Sequence, residues 1–177
     1  MNYSKIVTTD VANGPGIRVT LFVSGCSLCC PGCFNKDAWE FDSGIKYTNQ
    51  TESELLDLLS RPHIRGLSIL GGDPYCQPDS KVLVDLVEKV RRFCPTKDIW
   101  IWTGYEFEEI RNHPLTKYVD VAVVGRFDIN QRDISGLNVW RGSRNQRIID
   151  VPLSLVSGKV IPLKMIPNNE IKENNDD

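Results

Sequence analysis

Ile17-Arg-Val-Thr-Leu-Phe-Val-Ser-Gly-Cys-Ser-Leu-Cys-Cys-Pro-Gly-Cys-Phe-Asn35 is an apolar run that breaks at a glycine into a loop crowded with cysteine. Its first half, Ile17 to Ser24, is β-branched and apolar with few polar residues, the pattern of a strand buried on both faces of a parallel sheet. Its second half places Cys26, Cys30 and Cys33 at Cys-x3-Cys-x2-Cys spacing. Three cysteines holding a four-iron, four-sulfur cluster leave one iron without a protein ligand, whereas clusters that only carry electrons usually have every iron ligated by cysteine. The open iron is free to take a substrate or cofactor.

Two other metal sites compete for the same thiols. A structural zinc site wants four ligands, commonly paired cysteines or a Cys/His set, and His63 and His113 stand at no matching spacing. A fully ligated electron-transfer cluster would recruit Cys29, Cys76 or Cys94 as its fourth ligand. Cys29 is expected to point away from its neighbour Cys30, Cys94 to end a helix, and Cys76 to pack near the site without ligating it.

Working outward, Leu67-Ser-Ile-Leu-Gly-Gly-Asp-Pro74 is a second short apolar strand that runs into a glycine pair, an acid and a proline. Glycines at a strand end permit a sharp turn and a close approach of backbone to ligand. The cysteine loop and this turn together resemble the radical S-adenosylmethionine enzymes. Further motifs narrow the likeness: Asn13-Gly-Pro-Gly16 before the strand, Cys-Pro-Gly-Cys-Phe-Asn35 within the loop, Ile99-Trp-Ile-Trp-Thr-Gly-Tyr105, and Trp140-Arg-Gly-Ser143 followed by Asn145-Gln146. The set, spread over residues 2–146, is similar to the activating proteins of anaerobic ribonucleoside-triphosphate reductase, within the glycyl-radical activases.

The resemblance implies a partial, open α/β barrel with a mainly parallel sheet. It implies cluster ligation by Cys26, Cys30 and Cys33, and contacts to S-adenosylmethionine from Gly32, Cys33, Phe34, Gly71, Gly72 and Asp73. Backbone at Gly32 to Phe34 would run along the adenosine, and carbonyls at Gly71 and Gly72 would accept the methionine ammonium. The implied activity is reductive cleavage of the cofactor to a 5'-deoxyadenosyl radical, which takes a hydrogen atom from a glycine of the large reductase subunit. The electron comes from a donor such as a flavodoxin-like protein. Cluster and cofactor carry the chemistry, so no protein acid or base is assigned. Activation of another glycyl-radical enzyme such as pyruvate formate-lyase, or plain electron transfer without cofactor cleavage, are the alternative functions. The family usually carries aspartate where this chain has Val124, and Arg18 is placed to reach toward the site.

Composition is consistent with this reading. The chain has 177 residues, 41% hydrophobic, enough for one domain with its own core. A formal charge of −2 offers no field to concentrate it on nucleic acid or anionic lipid. Met1 to Asp10 lacks the basic and apolar stretches of a signal peptide, and no apolar run reaches the ~20 residues a membrane helix needs. A cytoplasmic, reducing location suits six cysteines of which four fall between positions 26 and 33.

Strands are expected at 17–24, 66–70, 98–103 and 119–125. Helices are expected over 51–60, where Thr51 and Glu54 form a capping box, from Pro78 to Cys94, and over 106–112. Alternating strands and helices argue for a mainly parallel sheet, with ligands at the carboxyl ends of its strands. Residues 1–150 are expected to form the activase domain that the resemblance implies. Residues 151–177 are expected to form an extension: a hairpin around Ser157-Gly158, then a polar, disordered tail from Asn168 to Asp177.

Overall fold

The computed structural model describes residues 1–134 and 140–164. In chain order its strands are β1 (Asn2–Asp10), β2 (Arg18–Val23), β3 (Ile45–Lys46), β4 (Gly66–Gly71), β5 (Asp98–Trp102), β6 (Val121–Val124) and β7 (Arg147–Asp150). The α-helices are α1 (Asn49–Ser60), α2 (Lys81–Phe93), α3 (Phe107–Ile110) and α4 (Val151–Ser157). All strands join one mixed sheet in the order β3-β1-β2-β4-β5-β6-β7. Its centre, β2 to β6, is parallel, and antiparallel strands flank it on both sides. The sheet is open, with β3 and β7 as its edges.

The period-2 geometry of the strands sorts side chains onto two faces. Val19, Leu21 and Val23 of β2 share one face with Leu67, Ile69, Ile99, Ile101, Ala122 and Val124, and pack against Leu55, Leu59, Leu83, Leu86, Val87 and Val90 of α1 and α2. Burying each such side chain contributes about 1.5–3 kcal/mol. Trp100, Val121 and Val123 form a second, smaller cluster with Trp102, Trp140, Ile148 and Leu163. The central strands therefore need apolar residues at successive positions.

The α/β class and the four expected strands are present, and three further strands complete the sheet. Helix α1 begins earlier than its expected cap. Thr48, not Thr51, is the N-cap: its hydroxyl accepts from the Thr51 amide at 3.3 Å, and the Thr51 hydroxyl accepts from the Thr48 amide at 3.3 Å. Helix α2 ends at Cys94, whose neighbour Pro95 disfavours helical geometry there.

The expected hairpin after residue 150 is replaced by a helix. Asp150 accepts from the Leu153 amide at 3.0 Å as N-cap, proline occupies the first turn of α4, and Gly158 ends it at φ +71°. The chain then returns to β7, where Ile149 bridges Pro162. The proposed tail, Asn168 to Asp177, lies outside the described residues. No helix among the described residues is long and apolar enough to cross a membrane.

Candidate cofactor and metal site

The carboxyl ends of β2, β4, β5 and β6 open into a cavity of about 620 Å3. Its volume lies within the range of small-ligand pockets, roughly 300–1,000 Å3. Cys26, Cys30 and Cys33 all line it, as do Phe34, Gly71, Gly72 and Asp73. Gly32 is exposed in the loop at φ +75°, with its α-carbon turned toward Ile129. Thus every expected site residue except Gly32 reaches one cavity.

Backbone pairing fixes the two cofactor motifs against each other. The Gly72 amide donates to Val23 O at 2.7 Å and the Asp73 amide to Gly25 O at 2.8 Å, extending the β2–β4 ladder into both loops. Gly71 has φ +114°, and a Cβ there would lie 2.7 Å from Val23 O; at Gly72 it would lie 2.4 Å from Gly25 O. Only glycine lets these strand ends approach so closely. The Gln77 amide group donates to Ser24 O and Asp73 O, both at 3.0 Å, locking the junction from behind.

Asp73 is only 2% exposed, and its carboxylate is engaged by protein. It accepts from the Thr103 hydroxyl, from the Gly104 amide at 2.8 Å and from the Tyr75 amide at 2.8 Å. Burial pushes this carboxyl up to about 7, against the hydrogen bonds that favour its charge. Its demonstrable contacts tie the β4 end to the β5 end.

The cysteines divide clearly. Cys29 is exposed, at φ +47°, outside the cavity lining, and Cys94 is buried beyond α2. Burial raises the Cys30 thiol. Cys76, from the short turn after Pro74, comes within 4.8 Å of both Cys26 Sγ and an Asp73 oxygen. Hydrogen bonding between the two thiols raises Cys26 and lowers Cys76. Thiolates are the soft donors that iron–sulfur clusters require, so the loop is chemically suited to one.

Of the neighbouring residues, Arg18 departs from its expected place. Arg18 does not reach the site: it is fully buried, pairing with Asp98 at 2.5 Å and donating to Ser68 Oγ at 2.7 Å and Leu67 O at 2.9 Å. Ser68 in turn donates to Asn13 O at 2.6 Å, so Arg18 holds the Asn13-Gly-Pro-Gly turn, and Asn13 lines the cavity. Val124 faces the helix side and is fully buried. Phe34, at the cavity rim, is 60% exposed, 5.0 Å from the Phe127 ring and beneath the Arg132 guanidinium.

Sequence reasoning missed how the Trp140-Arg-Gly-Ser143 segment is anchored. Gln146 Oε1 accepts from the Gly142 and Ser143 amides at 2.8 and 3.1 Å, while its Nε2 donates to Gly125 O at 2.9 Å. Arg141 pairs with Asp133, and both line the cavity; Arg147 pairs with Glu106 and Glu108 away from it. The signal was the glutamine three residues beyond a serine, which closes a turn on itself.

A sheet that gathers cysteines of this spacing at its strand ends defines a class, and residues 12–149 match the family model described as a 4Fe-4S single cluster domain. The chain is an iron–sulfur protein of that class. Among curated relatives, the anaerobic ribonucleoside-triphosphate reductase-activating protein of Enterobacteria phage T4 is 43% identical over 148 residues, covering 84% of this chain and 93% of the relative. Proteins of the same name from Vibrio cholerae and Escherichia coli K12 are 45% and 41% identical, covering 84% and 82% of this chain and 97% and 96% of their own. The chain belongs to the family of anaerobic ribonucleoside-triphosphate reductase-activating proteins.

Proposed function

We propose that this protein activates anaerobic ribonucleoside-triphosphate reductase by binding S-adenosylmethionine beside a four-iron, four-sulfur cluster held by Cys26, Cys30 and Cys33. When bound, the cluster and cofactor supply one-electron reductive cleavage of the sulfonium and removal of a hydrogen atom from a glycine of the large reductase subunit. The observation that carries this reading is the convergence of the three thiols with Gly71, Gly72 and Asp73 on one cavity.

Each group of the chain has a place in this scheme. The glycine pair lines the cavity, and its backbone carbonyls are the acceptors assigned to an ammonium group, with the Asn35 side-chain amide donating to Gly71 O at 3.4 Å. Phe34 covers apolar ligand surface at the rim, with Gly32 giving its loop the required turn. Trp102 and Trp140 line the cavity and exclude water from the reacting atoms. No side chain is assigned a proton-transfer role. The open sheet is read as an incomplete barrel, residues 1–150 as the activase unit and 151–177 as an extension. The electron donor is a one-electron carrier of the flavodoxin-like type.

The test is anaerobic loading with iron and sulfide, reduction, and assay of S-adenosylmethionine cleavage with and without the large reductase subunit. Cleavage accompanied by a glycyl radical in the electron paramagnetic resonance spectrum of the partner is expected. A stable cluster that never cleaves the cofactor would leave electron transfer as the function.

A further inference from the structure

Cys76 is a thiol beside the cavity, against Cys26 and Asp73, to which the activation chemistry assigns no role. It lies on the turn after Gly71-Gly72-Asp73-Pro74, and Cys26 on the loop after β2. Hydrogen bonds tie these two loops together: the Gly72 and Asp73 amides bond across to Val23 and Gly25, and the Gln77 side chain clasps Ser24 O and Asp73 O. The two sulfurs are held within 4.8 Å. Around Cys76, Ser27 Oγ lies at 3.3 Å, and its thiol donates to the Tyr105 hydroxyl at 3.7 Å. The paired backbone beside both residues, Gly72 on Val23 and Asp73 on Gly25, keeps the two thiols on neighbouring loops of one junction.

We propose that Cys76 is the resolving thiol for Cys26: when the cluster is lost under oxidising conditions, the two close to a disulfide that must be reduced before iron is taken up again. The consequence for iron rests on Cys26 being a cluster ligand; the disulfide itself does not. The oxidant is a low-molecular-weight disulfide. One thiolate of the pair attacks it, forming a mixed disulfide and releasing the first small thiol. The second thiolate attacks the protein sulfur of that bond, the Cys26–Cys76 bond forms, and the second small thiol leaves. The protein pair gives up two electrons and two protons, and both small thiols carry them away. The link would tie the cysteine loop to the Gly-Gly turn and remove one thiolate from the Cys-x3-Cys-x2-Cys set, so a damaged loop is held near its folded position yet cannot accept iron.

The experiment treats the cluster-loaded full chain with excess oxidised glutathione until its iron is released, alkylates free thiols, and digests without reduction. Fragmentation of the joined peptides is expected to place the link between Cys26 and Cys76, with Cys94 alkylated, and iron reloading is expected only after a thiol reductant is added. Alkylated Cys76, Cys26 joined instead to Cys29, Cys30 or Cys33, or full reloading without reductant would overturn the proposal. A Cys30→Ser, Cys33→Ser double variant separates this from the cluster assignment. It should load no iron yet still form the Cys26–Cys76 link; iron loading there would refute the ligand assignment, and a missing link in the folded variant would refute the resolving thiol.

Discussion

Thr103 Oγ1 lies 3.0 and 2.9 Å from the two carboxylate oxygens of Asp73, sharing its one proton between them. The contact joins the ends of neighbouring parallel strands, β4 and β5, on the cavity wall. With the Gly104 and Tyr75 amides also donating, the carboxylate shapes the wall through the loop it holds. Hydrogen bonds to charged groups contribute about 1.5–3 kcal/mol. Thr103→Val should therefore weaken S-adenosylmethionine binding to the loaded enzyme roughly tenfold or more, and Asp73→Asn should add little to it in the double variant. Equilibrium titration of all four proteins checks this. Wild-type affinity in Thr103→Val beside a large loss in Asp73→Asn would instead mean direct contact between Asp73 and the cofactor.

The cysteine assignments divide by iron content. Alanine at Cys26, Cys30 or Cys33 should abolish the iron, acid-labile sulfide and charge-transfer absorption of the anaerobically loaded protein. Serine at Cys29 should leave all three at wild-type level, because that side chain is exposed and outside the cavity lining. Loss of iron from Cys29→Ser would sink the three-ligand set.

Much of the site was legible because its chemistry is local. Cys26, Cys30 and Cys33 lie within one loop, and the Gly71-Gly72 turn directly follows a strand, so chain order alone put both at the same end of a parallel sheet. What was not legible depended on distant partners. The polar positions of β1 obscure its period, and its pairing with β2 is interrupted by register shifts. Arg18 is expected near the site because the resemblance places the Asn13-Gly-Pro-Gly turn just ahead of the cluster strand. Its partner Asp98 is eighty positions away, and only folding shows the charge to be satisfied in the interior. Asp150 as a helix cap was overlooked because Val151 to Val156 is as apolar as a strand.

The Gly-Gly turn offers a steric test. At Gly71, positive φ penalises any side chain by about 1–2 kcal/mol before contacts are considered. A methyl 2.7 Å from Val23 O forces the β2 and β4 ends apart. Gly71→Ala should lower the chemical denaturation midpoint and also abolish cofactor binding at temperatures where the variant remains folded. A stable variant with unchanged affinity would show that the close approach serves neither purpose.

Asp10 ties the end of β1 to the turn that walls the cavity, and its titration gives a pH signature. Burial raises its carboxyl, but hydrogen bonds from Asn13 Nδ2 at 2.7 Å, Thr20 Oγ1 at 2.6 Å and the Ala12 amide at 2.8 Å outweigh it, so the folded-state value lies below the ordinary one. A depressed carboxyl contributes stability that is fully present above its unfolded value, about 3.9, and lost as pH falls through the folded one. Asp10→Asn should therefore cost about 1–3 kcal/mol at neutral pH, where the ionised acceptor is removed. The difference between variant and wild type should begin to shrink as pH falls below about 4, where the unfolded carboxyl takes up its proton, and should vanish only once pH passes through the lower folded-state value. Denaturation midpoints of both proteins across that range decide the matter: a difference independent of pH would mean that Asp10 acts by shape alone, and its ionised oxygens do not hold the turn.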